Sequence, residues 1–195
     1  MREPRLRKDA FDAAEHLRKQ PFVDPERIGL LGMSQGAGAA LAAATNFYDT
    51  PQDRRAFRAI VSIYPPCYFA NVQIPGRSGP ANLHYLPPNR IVVPLLVQMG
   101  DLATETLAKD CISRLQEKKD QGAPVEFVVH KNSTHGWDNA ELEGRNFTKK
   151  GLNGQDVVYR YNPKVTAESV RLAFDVREQK VDGVKRKRAE ALALG

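Results

Sequence analysis

Arg27-Ile28-Gly29-Leu30-Leu31-Gly32-Met33-Ser34-Gln35-Gly36 is the stretch that decides the fold. Its first six residues are a short apolar run of strand type, and Gly36 to Thr45 is Ala- and Gly-rich with helical character. A strand that turns straight into a helix is half of a βα unit, and the pattern recurs on both sides. Upstream, Leu6, Ala10, Ala13, Ala14 and Leu17 recur at helical spacing and predict a helix from Glu3 to Lys19, ended by Pro21 and Asp24-Pro25.

Downstream, Ala59–Tyr64 reads as a buried strand closed by Pro65-Pro66. Ile91–Met99, with Pro94 near its start, is a third strand, and Val125–His130 a fourth. Between these two, Thr106–Gln121 is an amphipathic helix ending at Gly122, a residue suited to a C-cap. Cys67–Arg90 is rich in Pro, Gly and Asn and reads as an irregular excursion, and the polar segment Asn132–Asn162 reads as loop. Thr166, with Glu168 in the first turn behind it, is the expected N-cap of a last helix running through Phe174. The predicted fold class is α/β: a mostly parallel sheet with helices on both faces. It occupies a domain over residues 1–176, and a basic C-terminal helix or tail follows at 177–195.

Composition narrows the class. At about 150 residues per domain, 195 residues make one domain. With 42% hydrophobic and 27% charged residues the chain is globular and not disordered. No apolar run reaches the roughly 20 residues that cross a bilayer, so no membrane partner is expected. Met1–Lys19 is charged throughout and lacks a signal-peptide core, which points to a cytoplasmic protein. Cys67 and Cys111 are too few for a disulfide framework, have no metal-ligand spacing, and read as buried hydrophobes. Most of the net charge of +6 sits in one C-terminal stretch, where Lys180, Lys185, Arg186, Lys187 and Arg188 against Asp182 leave an excess of four. That is the pattern of a solvated face, and without interleaved aromatics it argues against nucleic acid.

Gly32-Met33-Ser34-Gln35-Gly36 fits G-x-S-x-G. The pattern arises by chance in many chains, but a strand before it and a small-residue helix after it give it meaning. A serine on so tight a turn takes a strained backbone conformation, and the flanking glycines relieve crowding. The turn lifts the hydroxyl clear of the sheet, and the helix N-terminus favours charge developing on an attacked carbonyl. The Gln35 N–H is the expected oxyanion donor. A nucleotide-binding turn is not supported, since no G-x-G-x-x-G can be written here and no P-loop lysine follows.

The hydroxyl needs a base, and four histidines are available: His16, His84, His130 and His135. His16 belongs to the first helix, His84 to the excursion, and His130 to the end of a strand. His135 lies in Asn132-Ser133-Thr134-His135-Gly136-Trp137, just beyond the fourth strand and so on the same sheet edge as Ser34. Serine first and histidine last is also the chain order of α/β-hydrolase chemistry. An acid to orient the imidazole belongs after the third strand, where Asp101 and Glu105 both stand; Asp101 follows the strand end more directly. Trp137 and the 67–90 excursion flank strand ends on this edge and border the expected substrate site, though a tryptophan there is as often plain packing.

Taken together, these segments resemble the dienelactone hydrolase family of α/β hydrolases. The resemblance rests on Asp24-Pro25-Glu26-Arg27-Ile28, Gly32-Met33-Ser34-Gln35-Gly36, Val93-Pro94-Leu95-Leu96-Val97, Gly122-Ala123-Pro124-Val125-Glu126, Thr134-His135-Gly136-Trp137-Asp138 and Tyr161-Asn162-Pro163, in that order. It implies Ser34 as nucleophile, where the founding enzymes carry cysteine, and His135 as base. It further implies a small-molecule ester or lactone substrate and no metal or organic cofactor.

Two departures from the family stand out. The family's acid lies three residues after the glycine ending the third strand, and Ala103 is there. Asp101 or Glu105 substitutes, or the triad is a dyad. The family also has strands ahead of the Ile28–Gly32 strand, and the sequence as given starts at the helix just before it, as expected of a fragment, a misassigned start or one half of an assembly. That leaves an edge open to pairing, including homo-oligomer formation, and an alternative expectation of a catalytically inactive homologue that acts by pairing.

Overall fold

A computed structural model describes residues 3–45, 57–67, 90–151 and 154–175. Residues 68–89 of the excursion, with His84, and the basic stretch 177–195 lie outside the described residues.

The elements follow the predicted alternation. Helix α1 (Glu3–Arg18) precedes strand β1 (Leu30–Met33) and helix α2 (Gln35–Ala43). Strands β2 (Ile60–Ile63) and β3 (Leu95–Gly100), helix α3 (Ala108–Asp120) and strand β4 (Val125–His130) come next. The four strands form one parallel sheet in the order β1-β2-β3-β4. Pro94 has no N–H to give, so β3 begins after it, at Leu95, although the Pro94 carbonyl accepts the Ile60 N–H at 2.8 Å. Ile91, expected in the strand, instead makes an isolated antiparallel bridge to Thr45.

Side chains alternate across the sheet and build two cores. Ile60, Leu95 and Val97 face α1, α2 and α3 with Ala14, Leu41 and Leu115, while Val61, Ile63 and Leu96 face Trp137, Val165 and Ala173. β2 and β3 are buried along their whole length, as parallel strands covered on both faces must be. β1 is not: Leu31 is 51% and Met33 45% exposed.

Three expectations are corrected. Asn132–Asn162 is not all loop: a 3₁₀ turn (Ala140–Leu142) leads to an antiparallel hairpin of β5 (Asn146–Lys150) and β6 (Asp156–Arg160). β5 is exposed at every residue, so no apolar alternation marks it. The last helix, α4, spans 163–175. Its cap is Asn162, whose Oδ1 accepts the Val165 N–H at 3.2 Å, with Pro163 at the first helical position. Thr166 sits inside the first turn, with its Oγ1 bonded to the Trp137 and Asn162 carbonyls. Finally, Cys67 and Cys111 are buried as expected but bonded to each other, with Cα atoms 5.2 Å apart. Their 44-residue separation hid a pairing that α3, packing on the sheet, brings about.

Candidate active site

Strain collects where the strands end. Ser34 after β1 (φ 52°), Tyr64 after β2 (φ 42°) and Asn132 after β4 (φ 57°) are the non-glycine residues with positive φ among the described residues. Such backbone costs on the order of 1–3 kcal/mol per residue and persists only where its surroundings over-determine it. Ser34 is held from both sides: its N–H extends the ladder to the Ile63 carbonyl at 3.1 Å, and its carbonyl accepts from Ala37 and Gly38 to start α2. The crowding expected of the turn falls on Gly32, where a Cβ would sit on the carbonyl of Gly36. Gly36 itself faces open space among the described residues. Gln35 opens α2, so its N–H lies in the first turn, where intrahelical acceptors are missing.

The hydroxyl of Ser34 lies 2.9 Å from His135 Nε2 across 101 residues of sequence. His135 is buried, tilted against Tyr64 (ring centroids 4.6 Å) and edge-on to Tyr159 (5.4 Å). Burial pushes its pKa below the ordinary histidine value; Glu105 and Asp138 pull upward and Lys149 downward. Burial thus favours the neutral form of the ring.

The two candidate acids have other partners. Asp101 Oδ1 accepts the Ser133 N–H at 3.2 Å and its Oδ2 lies 3.9 Å from Lys131 Nζ, so it braces the loop that carries His135. Glu105 Oε2 accepts the Tyr159 hydroxyl at 2.6 Å and lies 3.7 Å from Lys149 Nζ on the hairpin. Facing His135 Nδ1 is Thr106 Oγ1, at 3.2 Å and buried. Thr106 was legible only as a helix start. A hydroxyl at a helix start carries no sequence mark of a histidine partner, although it accepts a hydrogen bond as a carboxylate does.

Tyr64 and the hairpin carried no sequence signal. The Tyr64 hydroxyl donates to Asp138 Oδ1 at 2.8 Å, and burial raises its pKa, so it stays protonated and keeps that carboxylate in place. The other histidines have different surroundings. His130 is buried, with Nε2 2.7 Å from Gln98 Oε1, whose amide donates to the Ser169 carbonyl and so ties β3 and β4 to α4. His16 is an exposed residue of α1 beside Gln20. Trp137 is fully buried between the rings of Tyr64 and His130 and is core packing, not a pocket wall.

Residues 1–179 match the dienelactone hydrolase family. Among solved structures, an α/β-hydrolase enzyme from a Medee basin deep-sea metagenome library is similar at 17% identity and TM-score 0.61, over 90% of this chain and 64% of that one. A putative dienelactone hydrolase from Klebsiella pneumoniae subsp. pneumoniae MGH 78578 is similar at 14% identity and TM-score 0.61, over 91% and 62%. Thermogutta terrifontis esterase 2, phosphoramylated by tabun, is similar at 14% identity and TM-score 0.58, over 87% and 62%. At these identities the likeness is one of fold, and the chain spans less than two thirds of the length of each structure. No curated protein matches the sequence.

Proposed function

Because the chain belongs to the dienelactone hydrolase family, we propose that it cleaves a carboxylic ester or lactone through an acyl-enzyme on Ser34, with His135 as general base. The observation that carries this reading is the 2.9 Å contact between Ser34 Oγ and His135 Nε2, made at a strained strand-to-helix turn. As Oγ attacks the carbonyl carbon, Nε2 takes the hydroxyl proton, and the oxyanion is met by the Gln35 N–H. Collapse expels the alkoxide, which leaves as alcohol with the proton from Nε2. Water then attacks the acyl-enzyme by the same route, giving the acid and free Ser34. The relative phosphoramylated by tabun supports the same chemistry, since an esterase of this fold takes an organophosphorus adduct.

A fluorophosphonate probe tests this directly. An adduct on the full chain that maps to Ser34 and is lost in Ser34→Ala is expected. A folded chain that takes no adduct overturns the reading.

A second reading, favoured by the edge of β1 that no other described residue pairs with, is pairing with a second copy of the chain. Leu31 and Met33 are exposed there, and an apolar groove of about 400 Å³ lined by Leu17, Ile28, Leu31, Val170 and Phe174 runs beside the strand. An unpaired edge flanked by apolar surface is a template for another strand. A dimer in light scattering that Leu31→Lys converts to monomer supports it; a wild-type monomer refutes it. A cytoplasmic location is at odds with a Cys67–Cys111 bond, since disulfides form and persist mainly in oxidising compartments. Thiol alkylation at the moment of cell lysis decides between them.

A further inference from the structure

We propose that the acid's work at this site is divided between two neighbours: Thr106 Oγ1 orients the His135 ring as the acceptor of its Nδ1–H, and Glu105 supplies the charge that stabilises the imidazolium. This rests on the acyl-enzyme reading above. An orienting carboxylate normally does both jobs, fixing the tautomer and compensating the positive ring. Here the two jobs are separable because they fall on different side chains.

For His135 Nε2 to take the proton of Ser34 its lone pair must face Oγ, so the ring proton must sit on Nδ1. The acceptor at Nδ1 is the Thr106 hydroxyl, 3.2 Å away. That hydroxyl is not used to cap α3, whose N-cap position is Leu107 with no side-chain bond. A neutral oxygen holds the ring but leaves the imidazolium charge uncompensated. The charges facing the ring come from three elements: Glu105 on the β3–α3 loop, Asp138 beyond β4, and Lys149 on β5. Each carboxylate is tethered by a tyrosine whose ring packs on the imidazole, Glu105 by Tyr159 and Asp138 by Tyr64. Glu105 directly precedes Thr106 in the chain, so the charge and the hydroxyl reach the ring from one loop, and the Tyr159 that holds Glu105 at 2.6 Å stands edge-on to the imidazole. Asp101 is engaged elsewhere, with Ser133 and Lys131.

The test follows the rate of Ser34 phosphonylation against pH in Thr106→Val, Thr106→Ser and Glu105→Gln, with ¹⁵N spectra of His135 in the wild-type chain. Thr106→Val is expected to slow the plateau about 10- to 100-fold, the loss of one buried hydrogen bond, without moving the acid limb. Thr106→Ser restores most of the rate. Glu105→Gln keeps an acceptor for Tyr159 but removes the charge while Lys149 remains, so the acid limb shifts to lower pH and the plateau falls. The wild-type spectra place the proton on Nδ1. The orienting role is overturned by an Nε2-protonated tautomer, by a Thr106→Val rate equal to wild type, or by a loss that serine does not rescue. An unmoved limb in Glu105→Gln overturns the charge role. If the wild-type chain takes no adduct, the acyl-enzyme reading itself fails, and the tautomer still decides the Thr106 contact.

Discussion

Gly100 and Ser133 meet backbone to backbone: a Cβ placed on Gly100, the last residue of β3, would overlap the carbonyl oxygen of Ser133. The same carbonyl accepts the Leu102 N–H at 3.0 Å, and the Ser133 N–H donates to Asp101. The loop that delivers His135 is thus clamped against the end of β3, two residues from the imidazole. Gly100→Ala is expected to displace that loop and cost about 1–3 kcal/mol of stability, the usual range for overpacking. Ser34 labelling should fall further than the melting temperature implies. Full labelling at an unchanged melting temperature would mean the clamp is slack.

The two glycines of the turn should behave differently. Gly32→Ala forces a methyl group into the carbonyl of Gly36, so loss of folded protein or of labelling is expected. Gly36 lies in α2 with open space where its Cβ would be, and alanine there should stabilise the helix by about 0.5–1 kcal/mol. Thermal melts of both variants check the contrast.

His130 and His135 are both held below the ordinary histidine range, chiefly by burial. In the unfolded chain each titrates near about 6.5. Between that value and the lower folded-state values the unfolded chain binds more protons. Stability therefore falls as pH drops below about 6.5 and has no slope from these groups above about 7.5. Tyr64 and Tyr159 act at the other end: burial raises both, so above about pH 10 the unfolded chain ionises first and stability falls again. Urea midpoints at about pH 5.5, 7.5 and 10.5 should pass through a maximum in the middle. A flat series would contradict the burial of these four rings.

Cys67 and Cys111 should be silent to maleimide in denaturant until a reductant is added, after which two thiols should label. Closing a loop of 44 residues constrains the unfolded chain by about 4 kcal/mol in the chain-entropy account. The Cys67→Ala/Cys111→Ala double variant should unfold at lower denaturant by a corresponding margin. Two thiols reactive without reductant would remove the bond.

The sequence by itself determined the alternation of helices with the four sheet strands, the parallel sheet, and that Ser34 and His135 share one sheet edge, because these rest on local patterns. Apolar runs mark buried strands, small residues mark the turn, and the carboxyl ends of parallel strands mark the shared edge. Only the tertiary structure decided what surrounds His135. Thr106, Glu105, Tyr64 and Tyr159 come from three separate segments, and which of them meets the ring depends on sub-ångström placement of loops that no periodicity encodes. The β5–β6 hairpin is illegible for a related reason: β5 is exposed at every residue, and β6 buries only Val157 fully, so no hydrophobic period marks the pair. So is the Cys67–Cys111 bond, because a pair that distant in sequence is joined by packing.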